Sequence, residues 1–269
     1  MAHELRSHAI LSASGAHRWM NCTPSARLEL EFADTSSEAA KEGTLAHEIC
    51  EAKVVNYFYP GRISKRQLTS KMKKFREHEL WQADMDRFTD VYVDFIKSEY
   101  LNFGSDPSIN VEVRLDLTCY IPEGYGTADC VLVGGNKLEV IDLKYGKGVP
   151  VSAENNPQLL LYALGAYQKY QMLCKFETVK VAIVQPRITE EPSVFELSID
   201  ELIKFGEEVK AKAALAFEGE GEFNPSESVC RFCKARHACR ARANKNVELA
   251  FATIKPPDTL SYEEMGEYL

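Results

Sequence analysis

The feature that most limits the fold is a run of short apolar segments in the middle of the chain. SINVEVRLDLT, GYGTADCVLVGG and KLEVIDLKYG are rich in Val, Ile and Leu and are separated by glycine and asparagine turns, so they predict three consecutive strands. NNPQLLLYALGAYQKYQM predicts a helix with Asn156 as its cap and Pro157 at its first position. TVKVAIVQPR predicts a fourth strand and SVFELS an edge strand. This order predicts an α/β core with a mixed central sheet flanked by helices.

Amphipathic segments lie on both sides of these strands. SSEAAKEGTLAHEICEAKVVNYF and EHELWQADMDRFTDVYVDFIKSEYL predict two helices before the sheet, and IDELIKFGEEVKAKAALAF predicts another after it. The chain therefore divides into an N-terminal segment (1–36), a helical region (37–105), the core sheet with its helices (106–217), a cysteine-rich segment (218–242) and a polar tail (243–269).

Composition narrows the cellular setting and the class of protein. The sequence contains no run of about 18 apolar residues and its first residues lack a secretory signal, so we expect a cytoplasmic protein without a membrane span. Its eight cysteines are then reduced. The net charge of −8 argues against a nonspecific nucleic-acid clamp. One stretch, SKRQLTSKMKKFR, is nevertheless strongly basic, and the pattern alone fits a solvated surface equally well.

The segment CRFCKARHAC indicates a metal site. It places Cys230, Cys233, Cys239 and His237 within ten positions, and cysteine and histidine are common ligands of protein metals. In a reducing compartment such clustering favours a metal or catalysis over disulfides.

Charged residues in apolar surroundings indicate a second site. His47 and Glu51 are four residues apart and share one face of a predicted helix. Asp129 enters a predicted buried strand, and Asp142 and Lys144 alternate onto one face at the end of another. Burying such charges is costly unless they are paired or bind a metal. Each pattern alone fits an ion pair inside the sheet, whereas together they favour a metal site.

The ordered set of motifs resembles a known family. His47, GTAD with Asp129, DLK with Asp142 and Lys144, and the later QLLLY segment are similar to the RecB-like branch of the PD-(D/E)XK nuclease superfamily. One cysteine far upstream and C-x2-C-x5-C near the C-terminus resemble its iron-sulfur branch, which includes AddB and the CRISPR-associated exonucleases. The opening HAILSASGAHRWMNCTPSARLE resembles nuclease-like proteins of bacteriophage and prophage recombination loci. The resemblance implies a restriction-endonuclease-like core.

The resemblance also implies a cofactor. In similar families one cluster cysteine precedes the nuclease core and three follow it, which makes Cys22, Cys230, Cys233 and Cys239 the ligands of a 4Fe-4S cluster that joins the two ends of the chain. The polar, turn-forming MNCTPS setting of Cys22 agrees with this assignment. A zinc ion on the same four cysteines remains open.

A nuclease of this type needs divalent cations, Mn²⁺ or Mg²⁺. Asp129 and Asp142 would supply oxygen ligands, His47 a nitrogen and, by resemblance, Leu143 its carbonyl. Lys144 would orient the attacking water or stabilise the transition state.

Gln158 and Tyr162 complete the predicted catalytic set. They lie one helical turn apart, and Gln158 is in the first turn of its helix. The N-terminal turn of a helix favours phosphate, so these two side chains would bind the DNA backbone next to the cleaved bond. Core packing is the alternative for Tyr162.

We therefore expect a metal-dependent, sequence-independent DNA exonuclease in a bacterial cytoplasm. It would act on single-stranded DNA or duplex ends, with a phage single-strand-annealing or single-strand-binding protein as a possible partner. The alternatives are a catalytically silent nuclease fold and a zinc-stabilised nucleic-acid-binding module.

Overall fold

The computed structural model describes residues 9–33 and 37–254, and its centre is a five-stranded sheet. The strands are β1 (Ser108–Asp116), β2 (Tyr125–Gly134), β3 (Lys137–Leu143), β4 (Thr178–Val184) and β5 (Ser193–Ser198). They lie side by side in chain order. β3 and β4 are parallel, whereas every other neighbouring pair is antiparallel. The predicted mixed α/β architecture is confirmed, with β5 at one edge.

The described residues also form nine α-helices. They are α1 (Ala16–Asn21), α2 (Ser25–Leu28), α3 (Glu38–Phe58), α4 (Lys65–Arg76), α5 (Met85–Asn102), α6 (Pro157–Tyr170), α7 (Ile199–Glu218), α8 (Glu227–Cys230) and α9 (Arg240–Ile254). Of these, α3, α6 and α7 pack on the sheet. Helix α6 is the crossover that the parallel strands β3 and β4 require. It begins as predicted, because the Asn156 side chain accepts hydrogen bonds from the N–H groups of Gln158 and Leu159 and Pro157 follows the cap.

Two apolar clusters lie on opposite faces of the sheet. The α6-side core, which includes Leu115 and Leu161, packs the sheet against α6 and α7. The α3-side core, which includes Ile49 and Leu132, packs it against α3, α4 and α5. Both faces of β3 are therefore buried, which explains its nearly continuous apolar sequence.

The helical region differs from the prediction in two places. The helix expected from residue 77 onward begins only at Met85, because residues 77–84 form turns in which the N–H of Trp81 donates to the carbonyl of His78. The preceding basic stretch, predicted only as charged surface, forms α4. Helix α4 starts with a capping box in which Ser64 and Gln67 satisfy each other's backbone N–H groups.

Some predicted segments are described only in part. Residues 1–8 and 34–36 of the N-terminal segment and residues 255–269 of the polar tail lie outside the described residues. Helix α9 occupies the beginning of that tail. Within residues 9–33 and 37–254, no helix combines the length and apolarity that a membrane crossing needs.

Candidate functional site

His47, Glu112 and Asp129 form a group that could hold a metal ion. One ligand atom from each lies within 4.8 Å of the others. His47 comes from α3, Glu112 from β1 and Asp129 from β2. The Nδ1 atom of His47 is 3.3 Å from Oδ1 of Asp129. An imidazole and two carboxylates offer the nitrogen and oxygen donors that Mn²⁺ accepts.

The backbone brings Glu112 to this group through a break in strand alternation. The pairing of β1 with β2 passes from Val111 opposite Cys130 to Val113 opposite Ala128, with Glu112 at the gap. Ile109 packs into the α3-side core and Val113 into the α6-side core, although strict alternation would place both on one face. Glu112 has a φ of 50°, a left-handed conformation that is rare for a non-glycine residue and is concentrated at functional sites.

The charges of the group depend on one another. Desolvation by itself would lower the pKa of His47, but the hydrogen bond to Asp129 and the nearby carboxylates raise it to about 9. Desolvation and the charge of Asp129 raise the pKa of Glu112 to about 7. Without a metal the imidazolium of His47 therefore offsets the negative charge, and a divalent cation could replace it.

Asp142, Lys144, Gln158 and Tyr162 form a connected network beside this group. Nζ of Lys144 lies 2.9 Å from Oδ2 of Asp142 and donates to Oε1 of Gln158 at 2.8 Å. Nε2 of Gln158 lies 3.3 Å from both Oδ1 of Asp142 and the hydroxyl of Tyr162. The Asp142 side chain is only 4% exposed. Its burial raises the pKa of the carboxyl, although the charge of Lys144 opposes this shift.

The two parts of the site are joined through β3. The N–H of Leu143 donates to Oδ2 of Asp129 at 2.8 Å, so the backbone between Asp142 and Lys144 fixes the orientation of Asp129. Asp142 lies outside the three-residue group but contributes to the raised pKa of His47. We call His47, Glu112, Asp129, Asp142, Lys144, Gln158 and Tyr162 the carboxylate site.

Tyr162 both packs in the core and belongs to the site. Its ring lies in the α6-side core, while its hydroxyl contacts Gln158. A Cβ added to Gly126 would meet the ring at 2.8 Å, so the glycine of GYGTAD leaves room for the tyrosine. The packing role and the site role of Tyr162 are therefore compatible.

The loop after Lys144 is held by one buried amide. Nε2 of Gln185, just beyond β4, donates to the carbonyls of Gly146 and Val149, and its Oε1 accepts from the N–H of Val151. The Gln185 residue is only 4% exposed. These bonds fix the chain that runs from Lys144 towards the start of α6.

The four predicted cluster cysteines line one cavity. Cys22, Cys230, Cys233 and Cys239 surround it together with Arg18 and Arg236, among other residues. We call this the cysteine cavity. Cys50 and Cys130 lie instead in the α3-side core, and His237 is exposed and accepts a hydrogen bond from Arg236.

The cysteine cavity has features expected around an anionic sulfur centre. The backbone N–H of Asn224 donates to Sγ of Cys22 at 3.5 Å. Among the described residues, the four cysteines do not form a second group with three ligand atoms within 4.8 Å.

A comparison of the chain with models of protein families assigns it to one family. Residues 8–269 match the model of a family described as protein of unknown function, DUF2800. The chain belongs to the DUF2800 family.

This DUF2800 chain is distantly similar to solved structures. The structure of SSO0001 is 15% identical with a TM-score of 0.33, over 73% of this chain and 85% of that chain. LHK-Exo in complex with dAMP is 15% identical with a TM-score of 0.32, over 64% and 87%. The alkaline exonuclease LHK-Exo from Laribacter hongkongensis is 15% identical with a TM-score of 0.30, over 62% and 87%.

Sequence reasoning placed most of these residues together but missed Glu112. The structure brings the predicted His47, Asp129, Asp142 and Lys144 into one region. Glu112 lies in the regular alternation of VEVRLDL, where an outward glutamate is ordinary. A search for carboxylates on the strand paired with the GTAD strand would have found it.

Proposed function

We propose that this protein is a metal-dependent, sequence-independent deoxyribonuclease of the RecB-like PD-(D/E)XK type that acts as an exonuclease. The observation that carries the proposal is the convergence of the His47–Glu112–Asp129 group with the Asp142–Lys144 pair. An imidazole, three carboxylates and one lysine in a single region match the requirements of phosphodiester hydrolysis.

The carboxylate site fits a divalent cation. His47, Glu112 and Asp129 would hold it, with Asp142 and the carbonyl of Leu143 as further ligands. Such an ion, Mn²⁺ or Mg²⁺, would lower the pKa of a water molecule and neutralise charge on the phosphate. The histidine favours Mn²⁺, because Mg²⁺ prefers oxygen ligands and retains its waters.

Lys144 is the residue we propose to act on the reacting groups. Its side chain is 27% exposed, so the ammonium can reach a substrate while Asp142 and Gln158 hold it. It would orient the attacking water or stabilise the charge that develops on the phosphate. Gln158, in the first turn of α6, would bind the neighbouring phosphate, and Tyr162 would fix the Gln158 amide. Contacts of this kind with the phosphate backbone of DNA do not depend on the base sequence.

For the cysteine cavity we propose a 4Fe-4S cluster held by Cys22, Cys230, Cys233 and Cys239. The N–H of Asn224 and the two lining arginines suit the negative charge of a centre with four cysteine ligands. The C-x2-C-x5-C spacing with Cys22 far upstream, which resembles the iron-sulfur nucleases, favours a cluster over a single zinc ion. The cluster would join the two chain ends and would take no part in the hydrolysis. Visible absorbance and iron content of protein prepared without oxygen test this assignment, and stoichiometric zinc without iron would overturn it.

The setting that fits this activity is DNA end processing during recombination in a bacterial cytoplasm. A phage-type single-strand-annealing or single-strand-binding protein would be the partner. Co-purification with such a protein on DNA ends would test the partnership.

One observation favours a second candidate, a catalytically silent nuclease fold. His47 pairs with Asp129 and Asp142 with Lys144, so two of the three carboxylates of the site already have an ionic partner without a metal. A silent protein would bind DNA but leave it intact.

One experiment separates the two candidates. Protein purified without oxygen is incubated with end-labelled single-stranded and duplex DNA, with and without Mn²⁺. Progressive, Mn²⁺-dependent loss of label supports the nuclease. Intact DNA in every reaction supports the silent fold.

A further inference from the structure

The basic helix α4 has one face that is free to bind a ligand. Leu68, Met72 and Phe75 follow helical spacing and pack against the α3-side core, which fixes the inner face of the helix. The outward positions carry exposed basic side chains, which are Lys65, Arg66, Lys71, Lys73 and Lys74. None of these five forms an ion pair within the described residues, whereas Arg76 pairs with Asp86.

The charge of α4 contrasts with that of the rest of the chain. Residues 61–76 contain seven basic residues and no acidic one. Without those seven, 25 of the 32 Lys and Arg residues remain against 40 Asp and Glu residues. Six of these seven lie on α4, and residues 231–245 form another basic stretch of this acidic protein. Such local density of positive charge favours a polyanionic partner over general surface solvation.

The helix is anchored close to the carboxylate site. Helix α3 runs from His47 to its end at Phe58 over about 17 Å, at about 1.5 Å per residue. The turn that follows α3 is held by the Asn56 side chain, which donates to the carbonyl of Ile63 at 2.8 Å. The hydroxyl of Tyr59 donates to the carbonyl of Ile109, which lies about 10 Å along β1 from Glu112. These lengths place the start of α4 within about 34 Å of the proposed cleavage site, a distance equal to one turn of duplex DNA.

The side chains of α4 suit a duplex better than a single strand. Sites for single strands combine positive charge with aromatic side chains on which bases stack. The one aromatic residue of α4, Phe75, is packed against the core, so the outer face offers charge alone. Lysine and arginine without stacking partners bind the phosphate backbone of duplex DNA.

We propose that the outer face of α4 binds the phosphate backbone of duplex DNA next to the end that the carboxylate site degrades. The inference rests on the proposed nuclease function and assigns it a duplex substrate. Because the contact is purely ionic, it determines how tightly the duplex binds and does not alter the residues that cleave the phosphodiester bond.

The test replaces three lysines of this face by alanine, Lys71, Lys73 and Lys74. The matched control replaces Lys204, Lys210 and Lys212, three exposed lysines of α7, and changes the net charge equally. Binding of a fluorescent 30-base-pair duplex is measured without divalent metal over a range of salt concentrations. Melting temperatures verify that both variants fold.

The α4 variant should bind the duplex at least about tenfold more weakly, and the slope of log affinity against log salt should decrease by about 2 to 3. The α7 variant should match the wild type in both quantities. Unchanged affinity and slope in the α4 variant, or equal losses in both variants, would overturn the proposal. So would an α4 variant that loses binding to phosphatidylserine vesicles and keeps duplex binding, because the face would then serve a membrane.

A small substrate separates this inference from the proposed function. Bis(p-nitrophenyl) phosphate carries no flanking backbone, so the α4 variant should hydrolyse it with Mn²⁺ as fast as the wild type does. Slower hydrolysis by the α4 variant would show damage to the catalytic site and overturn a role confined to affinity. If the wild type hydrolyses neither this ester nor DNA, the nuclease proposal fails, and the duplex-binding comparison still decides whether α4 binds DNA.

Discussion

The carboxylate site and the cysteine cavity are both assembled from residues far apart in sequence, but they are held in different ways. The first takes its side chains from the strands β1, β2 and β3, from the residue after β3, and from α3 and α6, which pack on opposite faces of the sheet. The second takes Cys22 from the residue after α1 and the other cysteines from short turns and helices near residues 230–239. The sheet therefore supports one site, whereas the other depends on contacts between two chain segments.

Those contacts combine apolar side chains that line the cavity, among them Leu28 and Val229, with hydrogen bonds. The Thr23 hydroxyl donates to the carbonyl of Glu220 at 2.5 Å, and the N–H of Lys234 donates to Oε1 of Glu29 at 2.7 Å. Loss of a side chain should therefore act differently in the two regions. In the carboxylate site it should remove chemistry and leave the fold, whereas in the cysteine cavity it should release the chain ends.

The largest effect is expected for Asp129→Ala. The substitution removes a proposed metal ligand, so cleavage of DNA should fall at least about 1000-fold as several kcal/mol of transition-state stabilisation are lost. Iron content should equal that of the wild type. Rate measurements with Mn²⁺ and an iron assay on one preparation check both statements, and loss of iron would show that the two regions are coupled.

Lys144→Ala should lower the cleavage rate by about 100- to 1000-fold, because it removes a positive charge from the developing transition state. Lys147→Ala, an exposed lysine in the following loop, is the matched control and should retain full activity. Equal rates for the two variants would remove Lys144 from the mechanism.

Cys22→Ser should lower iron content and stability first, in contrast to the variants of the carboxylate site, which should lose cleavage and keep their iron. Iron should be lost and the free energy of unfolding should fall by several kcal/mol, because binding of the cluster contributes to folding. Activity should decline in proportion to the folded fraction. Thermal melting, iron analysis and the control Cys119→Ser, at an exposed cysteine, measure these effects. A variant with full iron content and wild-type melting would exclude Cys22 as a ligand.

Glu112→Gln should have a smaller effect, about 10- to 100-fold weaker binding of Mn²⁺, comparable to the loss of one supporting group at a metal site. Activity should return as the Mn²⁺ concentration increases, since His47 and Asp129 remain. The dependence of rate on Mn²⁺ concentration is the measurement, with the exposed Glu154→Gln as control. An unchanged dependence would mean that Glu112 is not a ligand.

The smallest effect concerns the choice of metal. The wild type should cleave faster with Mn²⁺ than with Mg²⁺ and should be inactive with Ca²⁺, whose looser coordination does not position the water. His47→Ala should reduce the ratio of the Mn²⁺ rate to the Mg²⁺ rate, because only oxygen ligands remain. The same preference in both proteins would show that His47 does not contact the metal.

The regular parts of the molecule could be predicted from the sequence because local patterns determine them. Asn156 and Pro157 specify the start of α6, and the apolar run of β3 reflects burial of both its faces. Helix α4 was missed, because its basic side chains obscure the stripe of Leu68, Met72 and Phe75. These three apolar side chains stabilise α4 only by packing against the α3-side core, which the local sequence does not show.

The carboxylate site could be predicted in part for a related reason. Asp142 lies on β3 and Lys144 directly follows the last residue of that strand, so continued strand alternation alone brings them together. Glu112 reaches Asp129 because Glu112 itself adopts a left-handed backbone conformation, at the point where the pairing of β1 with β2 is interrupted. Such a break depends on tertiary packing, and the alternating VEVRLDL sequence contains no trace of it.

The most direct test of the account is digestion of end-labelled duplex DNA by protein prepared without oxygen, with wild type and Asp142→Asn compared with and without Mn²⁺. The asparagine keeps the shape of the buried side chain and removes its charge. We expect Mn²⁺-dependent release of nucleotides by the wild type, none by Asp142→Asn, and equal iron content in both. No release by the wild type with either Mn²⁺ or Mg²⁺, or undiminished release by Asp142→Asn, would contradict it.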